Sequence, residues 1–200
     1  MQAVKKRNEV KQMTYEFDGI IATEQFNEQD KQNFIEYDYG EKYLIEKSSL
    51  KVELENKDVQ LHLYIKDIDM SEYEDTNEHI IEIGVIPNFE SLSEKHQENI
   101  LSQFMEEDRE YFKNNTESLL PEIILYGLGI TLRCETVENP KDVEDKINSA
   151  IAVRYAITGL IGLELNRYVN RIGNTGWDML NEYCCDVDSL QTALARYKVN

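Results

Sequence analysis

The chain reads as an α+β protein: a small antiparallel sheet flanked by helices, with a long buried C-terminal helix. Three features carry that reading. From Leu50 onward, LKVELEN and VQLHLYIKDI alternate apolar and polar residues with the period of two that a half-buried strand requires. Phe89, Leu92, His96, Ile100 and Phe104 recur at spacings of three and four, which places them along one side of a helix. Beyond Asn139-Pro140 the same helical spacing is sustained to about Ile172.

In chain order, residues 1–13 are set apart as a basic N-terminal tail or short helix, and residues 14–200 are read as a single α+β domain. Tyr15 to Ala22 is expected as a first strand and Glu28 to Tyr37 as a helix-like run. Strands over 50–56 and 59–68 make a hairpin, because Asn56, Lys57 and Asp58 suit its loop. A third strand, 79–86, ends at Pro87-Asn88 and completes an antiparallel meander with helices over one face. Phe89 to Met105 forms the amphipathic helix, and the acidic run Glu106 to Tyr111 continues or follows it. Pro121 breaks the chain, so any division into subdomains is expected near 121. Between Ile123 and Val137 lie one or two strands, the better being GITLRCETV.

Asn139-Pro140 starts the last helix, with Pro suited to its first turn and Asp142, Glu144 and Asp145 near its positive end. Val143, Ile147, Ala150, Ile151, Ile157, Ile161, Leu165, Tyr168 and Val169 trace one apolar stripe, and Val153, Leu160 and Leu163 add a second. A helix apolar on more than one side is central in its domain or covered by a second copy, here through 141–172. Gly159 and Gly162 each cost about 1 kcal/mol relative to Ala inside a helix, which implies close packing around them. Gly173 to Gly176 is the turn that stops this helix. Arg154, inside the apolar run, must find an ionic partner or reach water, and a structural pair or a snorkelling side chain is expected.

Composition bounds the function. At 200 residues and 23.4 kDa, a compact chain buries about 70% of its extended surface, so a core forms without disulfides or metals. The hydrophobic share of 41% and the twelve Tyr exclude a mainly disordered or collagen-like chain. The net charge of −18 argues against direct binding to nucleic acid or anionic lipid. No apolar stretch follows the basic N-terminus, and the most apolar segment, Ala150 to Leu165, falls short of the roughly 20 residues a membrane helix needs. A cytoplasmic protein is expected, its three cysteines (Cys134, Cys184 and Cys185) reduced.

The acidity is uneven. Residues 61–120 hold fifteen acids against four bases, and between Lys66 and Lys95 nine acids occur with no base at all. Such asymmetry predicts a polarised surface. The residues chosen as a partner-binding site are Asp67, Asp69, Glu72, Glu74, Asp75 and Glu78, with Glu90, Glu94 and Glu98 beside them as a helical row.

Motifs for chemistry are weak by comparison. DIDMSEYEDTNE, residues 67–78, matches the acidic positions of a calcium loop, but Glu72 stands where the sharp turn needs Gly and the flanks read as strands. A solvated acidic connection is the better reading. His62, His79 and His96 lack metal-ligand spacing, and no nucleophile elbow or phosphate loop occurs. No cofactor, metal or catalytic residue is assigned.

Regular rows of carboxylates can occupy a basic groove that normally takes a phosphate backbone. The expected function is therefore a protein-binding antagonist of a basic, nucleic-acid-processing enzyme: a nucleic-acid mimic of phage or mobile-element type acting against a host defence, or an immunity protein that neutralises a toxin. The alternative is an enzyme, or a structural subunit of a complex, whose site is assembled from distant residues.

Overall fold

A computed structural model describes residues 12–25, 28–38, 40–54, 57–125, 130–154 and 156–157. Its centre is a five-stranded antiparallel meander of β3 (Phe34–Asp38), β4 (Lys42–Leu54), β5 (Lys57–Asp69), β6 (His79–Pro87) and β7 (Ile130–Val137), ordered in space as in sequence. A separate hairpin joins β1 (Gln12–Phe17) to β2 (Ile20–Gln25). Three short helices, α1 (Glu94–Ser102), α2 (Glu106–Asn114) and α3 (Thr116–Leu125), occupy the connection from β6 to β7. A fourth, α4, begins at residue 143 and is described through 157.

The meander is longer than its three expected strands, and both faces are covered. Alternation in β4 explains this: Tyr43 and Ile45 point to one core, Leu44 and Leu50 to the other. In β5 the run from Leu61 to Ile65 is buried at every position, with Leu61, Leu63 and Ile65 on one face and His62 and Tyr64 on the opposite one. One core packs the sheet against Phe17 of the hairpin and Ile147, Ala150, Ile151 and Val153 of α4. The other packs it against Phe89, Ile100, Phe104, Phe112, Leu119 and Ile123, which the three short helices and the turn before them supply.

Several local expectations are corrected. Tyr15 to Ala22 is not one strand: Asp18 and Gly19, at φ 45° and 74°, form the two-residue turn of the β1–β2 hairpin, where positive φ at both positions matches the twist of the strands. Residues 28–33 make a 3-10 turn, and 34–38 pair as β3 because Phe34 and Tyr37 can each reach a different core. Lys57 and Asp58 belong to β5, not to the loop. The helix read over 89–105 is divided: Asn88 caps a 3-10 turn over Phe89–Ser91, Leu92 is extended at ψ 154°, and α1 starts only at Glu94.

Pro121 does not break the chain either. It lies inside α3, where its ring nitrogen cannot bond back to the carbonyl of Glu117. The Tyr37 hydroxyl donates to that carbonyl at 2.9 Å and takes the place of the missing amide. Ile123 is thus helical, and among the described residues of this stretch the strand is β7. The final helix is seen over 143–157, with Ile147, Ala150, Ile151, Val153 and Ile157 buried. Its extension to 172, the glycines Gly159 and Gly162, the turn at 173–176, Cys184 and Cys185, and most of the basic N-terminal segment lie outside the described residues.

Arg154 has its partners. It is 2% exposed, with Nε 3.4 Å from Glu46 Oε1, NH2 3.3 Å from Asp30 Oδ1 and a further bond from NH1 to the Ile151 carbonyl. One buried guanidinium therefore ties α4 to β4 and to the turn before β3. Burial pushes the Glu46 carboxyl above its usual range, and the charge and hydrogen bond of Arg154 pull it part of the way back.

Candidate functional site

The residues nominated from sequence separate into two groups. Asp67, Asp69, Glu72, Glu74, Asp75 and Glu78 lie at the β5–β6 connection, while Glu90, Glu94 and Glu98 follow the far end of β6. Nine residues of β6 intervene, a span of about 27 Å at the usual strand rise. Glu90 is therefore far from the loop along β6. Glu90 also falls off the expected helical row, being in the 3-10 turn, where it accepts a 3.0 Å bond from the Thr116 hydroxyl. Glu94 and Glu98 are exposed at i, i+4 on α1.

Within the connection, two acids are structural. Asp67 accepts from His79 Nδ1 at 2.8 Å, and both side chains are largely covered. Asp69 caps the 3-10 turn Met70–Glu72 by accepting from the Ser71 amide at 2.9 Å, and the Ser71 side chain together with that amide holds its carboxyl below the usual range. Glu72, Glu74, Asp75 and Glu78 remain exposed. The loop that carries them is braced by bonds from the amide of Met70 to the carbonyl of Glu78 and from that of Glu74 to the carbonyl of Met70. Among the described residues no cluster of His, Cys, Asp and Glu is placed to hold a metal ion.

A second brace was not legible in the sequence. Glu41, in the turn before β4, accepts from the Tyr73 hydroxyl at 3.2 Å, from Tyr43 at 2.7 Å and from Lys66 Nζ at 2.8 Å. Burial alone would raise its carboxyl above the ordinary 4.5, but the bonds from Lys66, Tyr43 and Tyr73 outweigh it and hold it lower. Burial and the neighbouring Glu41 carboxylate in turn push the Tyr43 phenol upward. Tyr73 is 64% exposed, so this contact pins the acidic loop from its outer side.

The helical layer adds acids that the nominated set left out. Glu106, Glu107, Asp108, Glu110 and Glu117 are exposed on α2 and α3. Among the described residues, none of the acids from Glu90 to Glu122 enters an ion pair. Arg109, the nearest base in α2, is directed to the carbonyls of Phe104 and Ser102. The acidic run Glu106 to Tyr111 was visible as composition, but only the fold puts it in one layer with Glu94 and Glu98.

At the start of α3 a cleft of about 480 Å³ opens between that helix and β4, lined by Ile35, Lys47, His62, Asn88, Phe89, Glu90, Glu117 and Leu120 among others. His62, 8% exposed, forms part of its wall. Its Nδ1 donates to the Glu46 carbonyl at 3.0 Å, and its Nε2 accepts from Asn88 Nδ2 at 2.9 Å. Asn88 is oriented for this because its own Oδ1 accepts from the Ser91 amide. Both ring nitrogens of His62 are thereby engaged, which fixes the orientation of the imidazole.

No helix among the described residues is long and apolar enough to cross a membrane. Comparison of the chain with protein-family models, with curated proteins and with solved structures gave no match.

Proposed function

We propose that the protein is an acidic protein-binding module that antagonises a basic, nucleic-acid-processing enzyme, acting in the cytoplasm. The observation that supports this reading is the set of exposed acids on the helical layer and the β5–β6 loop, none of which enters an ion pair among the described residues. Elsewhere in the molecule the acids Glu36, Glu41, Glu135 and Glu144 are each paired with a lysine. Unneutralised carboxylates on a preformed surface attract a cationic partner at long range and align it on contact. A DNA- or RNA-binding groove is the surface whose lysines and arginines are spaced for such a row.

The exposed acids form two groups, one on the β5–β6 loop and one on the helical layer. Either can contact the partner, so each is tested separately. Tagged protein is used to capture partners from a lysate of its source cells at low salt and at about 0.5 M salt, where surface attraction is screened. The variants are Glu72→Lys/Glu74→Lys/Asp75→Lys in the loop and Glu94→Lys/Glu98→Lys/Glu107→Lys in the helical layer. The expected result is a basic nucleic-acid-binding protein retained only at low salt, displaced by duplex DNA and lost with one of the triple variants. A partner indifferent to salt and to both variants, or no partner, overturns the proposal. Exposed charge changes of this kind cost under about 0.5 kcal/mol each, so both variants are expected to stay folded.

A further inference from the structure

We infer that the cleft at the start of α3 is the socket for an arginine side chain of the basic partner. This rests on the antagonist reading and gives that reading a specific contact. Three properties of the cleft carry the inference. Its volume of about 480 Å³ leaves room for a long side chain and falls within the usual range of small-ligand sites. Its walls include Ile35, Phe89 and Leu120, apolar groups on which the methylene stem of an arginine can lie. Its lining also includes Glu90 and Glu117, both exposed, against a single cation, Lys47.

The local geometry favours a cation over an anion. Lys47 is directed to the carbonyl of Gln32, to which its Nζ donates at 2.8 Å. The Thr116 hydroxyl donates to Glu90 Oε1, which holds this carboxylate against the start of α3 and leaves Oε2 to accept from a ligand. Glu117 lies in the first turn of the same helix and offsets the positive end of its dipole. The ring nitrogens of His62 are engaged by the Glu46 carbonyl and the Asn88 amide, so they are directed away from the cleft's acids. The planar fork of a guanidinium offers five donors and can engage two carboxylates at once, which a lysine ammonium does less well. Arginines seated in partly apolar sockets are also frequent anchors of protein interfaces.

The probe is a blocked Gly-Arg-Gly peptide, titrated into isotope-labelled protein, with blocked Gly-Lys-Gly and Gly-Gln-Gly as comparisons. Saturable shifts are expected at the amides of Thr116, Glu117 and Leu120 and at the His62 ring. They should be strongest for the arginine peptide, absent for the glutamine peptide and reduced at least fivefold in affinity by Glu90→Gln/Glu117→Gln. Shifts confined to the acidic loop, equal response to all three peptides, or a response unchanged in the double variant overturn the socket. The double variant is also passed through the lysate capture. Retention of a salt-sensitive basic partner at full strength by that variant overturns the socket and leaves the antagonist reading standing. Arginine-peptide binding without any salt-sensitive partner has the opposite consequence.

Discussion

The two faces of the central sheet are fastened to their coverings by different physics. On the face covered by the hairpin and α4, charges cross between elements: Lys31 reaches Glu144, Lys146 reaches Glu135, Arg133 reaches Asp18, and buried Arg154 joins Glu46 and Asp30. The face under α1, α2 and α3 is held by an apolar core, with polar ties such as Tyr37 to Glu117, and its outer acids stand without cationic partners. The difference shows where each kind of residue is used. Cations brought into contact with acids link distant segments, and the acids left over concentrate on the layer that needs none of them for its own attachment.

The largest test of this contrast is Arg154→Ala. Removing one partner of a buried ion pair leaves Glu46 as an uncompensated buried carboxylate, a loss of about 3–5 kcal/mol in chemical denaturation. Arg154→Met combined with Glu46→Leu is expected to recover most of that stability, because it removes both charges and keeps the volume. If the single and double variants are equally unstable, the guanidinium is needed for something other than Glu46.

On the helical face the corresponding weak point is steric. A Cβ on Gly84 would run into the ring of Tyr64, its buried cross-strand neighbour on β5. Gly84→Ala should cost about 1–3 kcal/mol by overpacking, with part recovered in a Tyr64→Leu background. Thermal melts of the two variants measure it. Smaller again is Tyr37→Phe, which leaves the Glu117 carbonyl without the hydroxyl that substitutes for the amide of Pro121. About 1 kcal/mol is expected, by denaturant titration.

The acid limb of the stability curve separates the two regions by sign. Glu41 is held below 4.5 in the fold, so its contribution is present above its unfolded pKa and is lost as pH falls through the lower folded value. Glu46 is raised, so its ionised form weakens the fold above 4.5 and the penalty disappears as it takes up a proton. Glu41→Gln should therefore make stability less sensitive to acid, and Glu46→Gln should make it more sensitive, when unfolding is followed between about pH 3 and 6. Hydrogen exchange at the amides of Met70 and Glu74 is expected to quicken in Glu41→Gln as the loop loses its outer brace.

Much of this architecture was legible before the fold was known. The hairpin from β4 to β5, strand β6, strand β7 and the start of the last helix follow from period and from Asn139-Pro140. Arg154 was legible as a residue in need of a partner, since no charge sits stably in an apolar run without one. Other elements were obscured by rules that tertiary contacts override. Pro121 reads as a break because its missing amide is local, whereas Tyr37, eighty positions earlier, is not. The Asp18-Gly19 turn was a hairpin signal hidden inside an apolar stretch that reads as one strand. The helix over 89–105 has an unbroken apolar stripe, but the cap at Asn88 and the extended Leu92 divide it.

For the candidate site, the sequence identified the density of acid and its segment, and the fold divided it. Asp67 and Asp69 looked equivalent to Glu72 and Glu74; their pairing with His79 and the Ser71 amide makes them structural instead. The cleft beside His62 gave no sequence signal, because its walls come from β3, β4, β5, the turn after β6 and α3. The sequence by itself determined the class of fold, the excess of negative charge and the need to bury Arg154, since those follow from composition and local period. Which carboxylates remain free of ion pairs and where a cleft opens were decided only by the tertiary structure, because each depends on contacts between residues far apart along the chain.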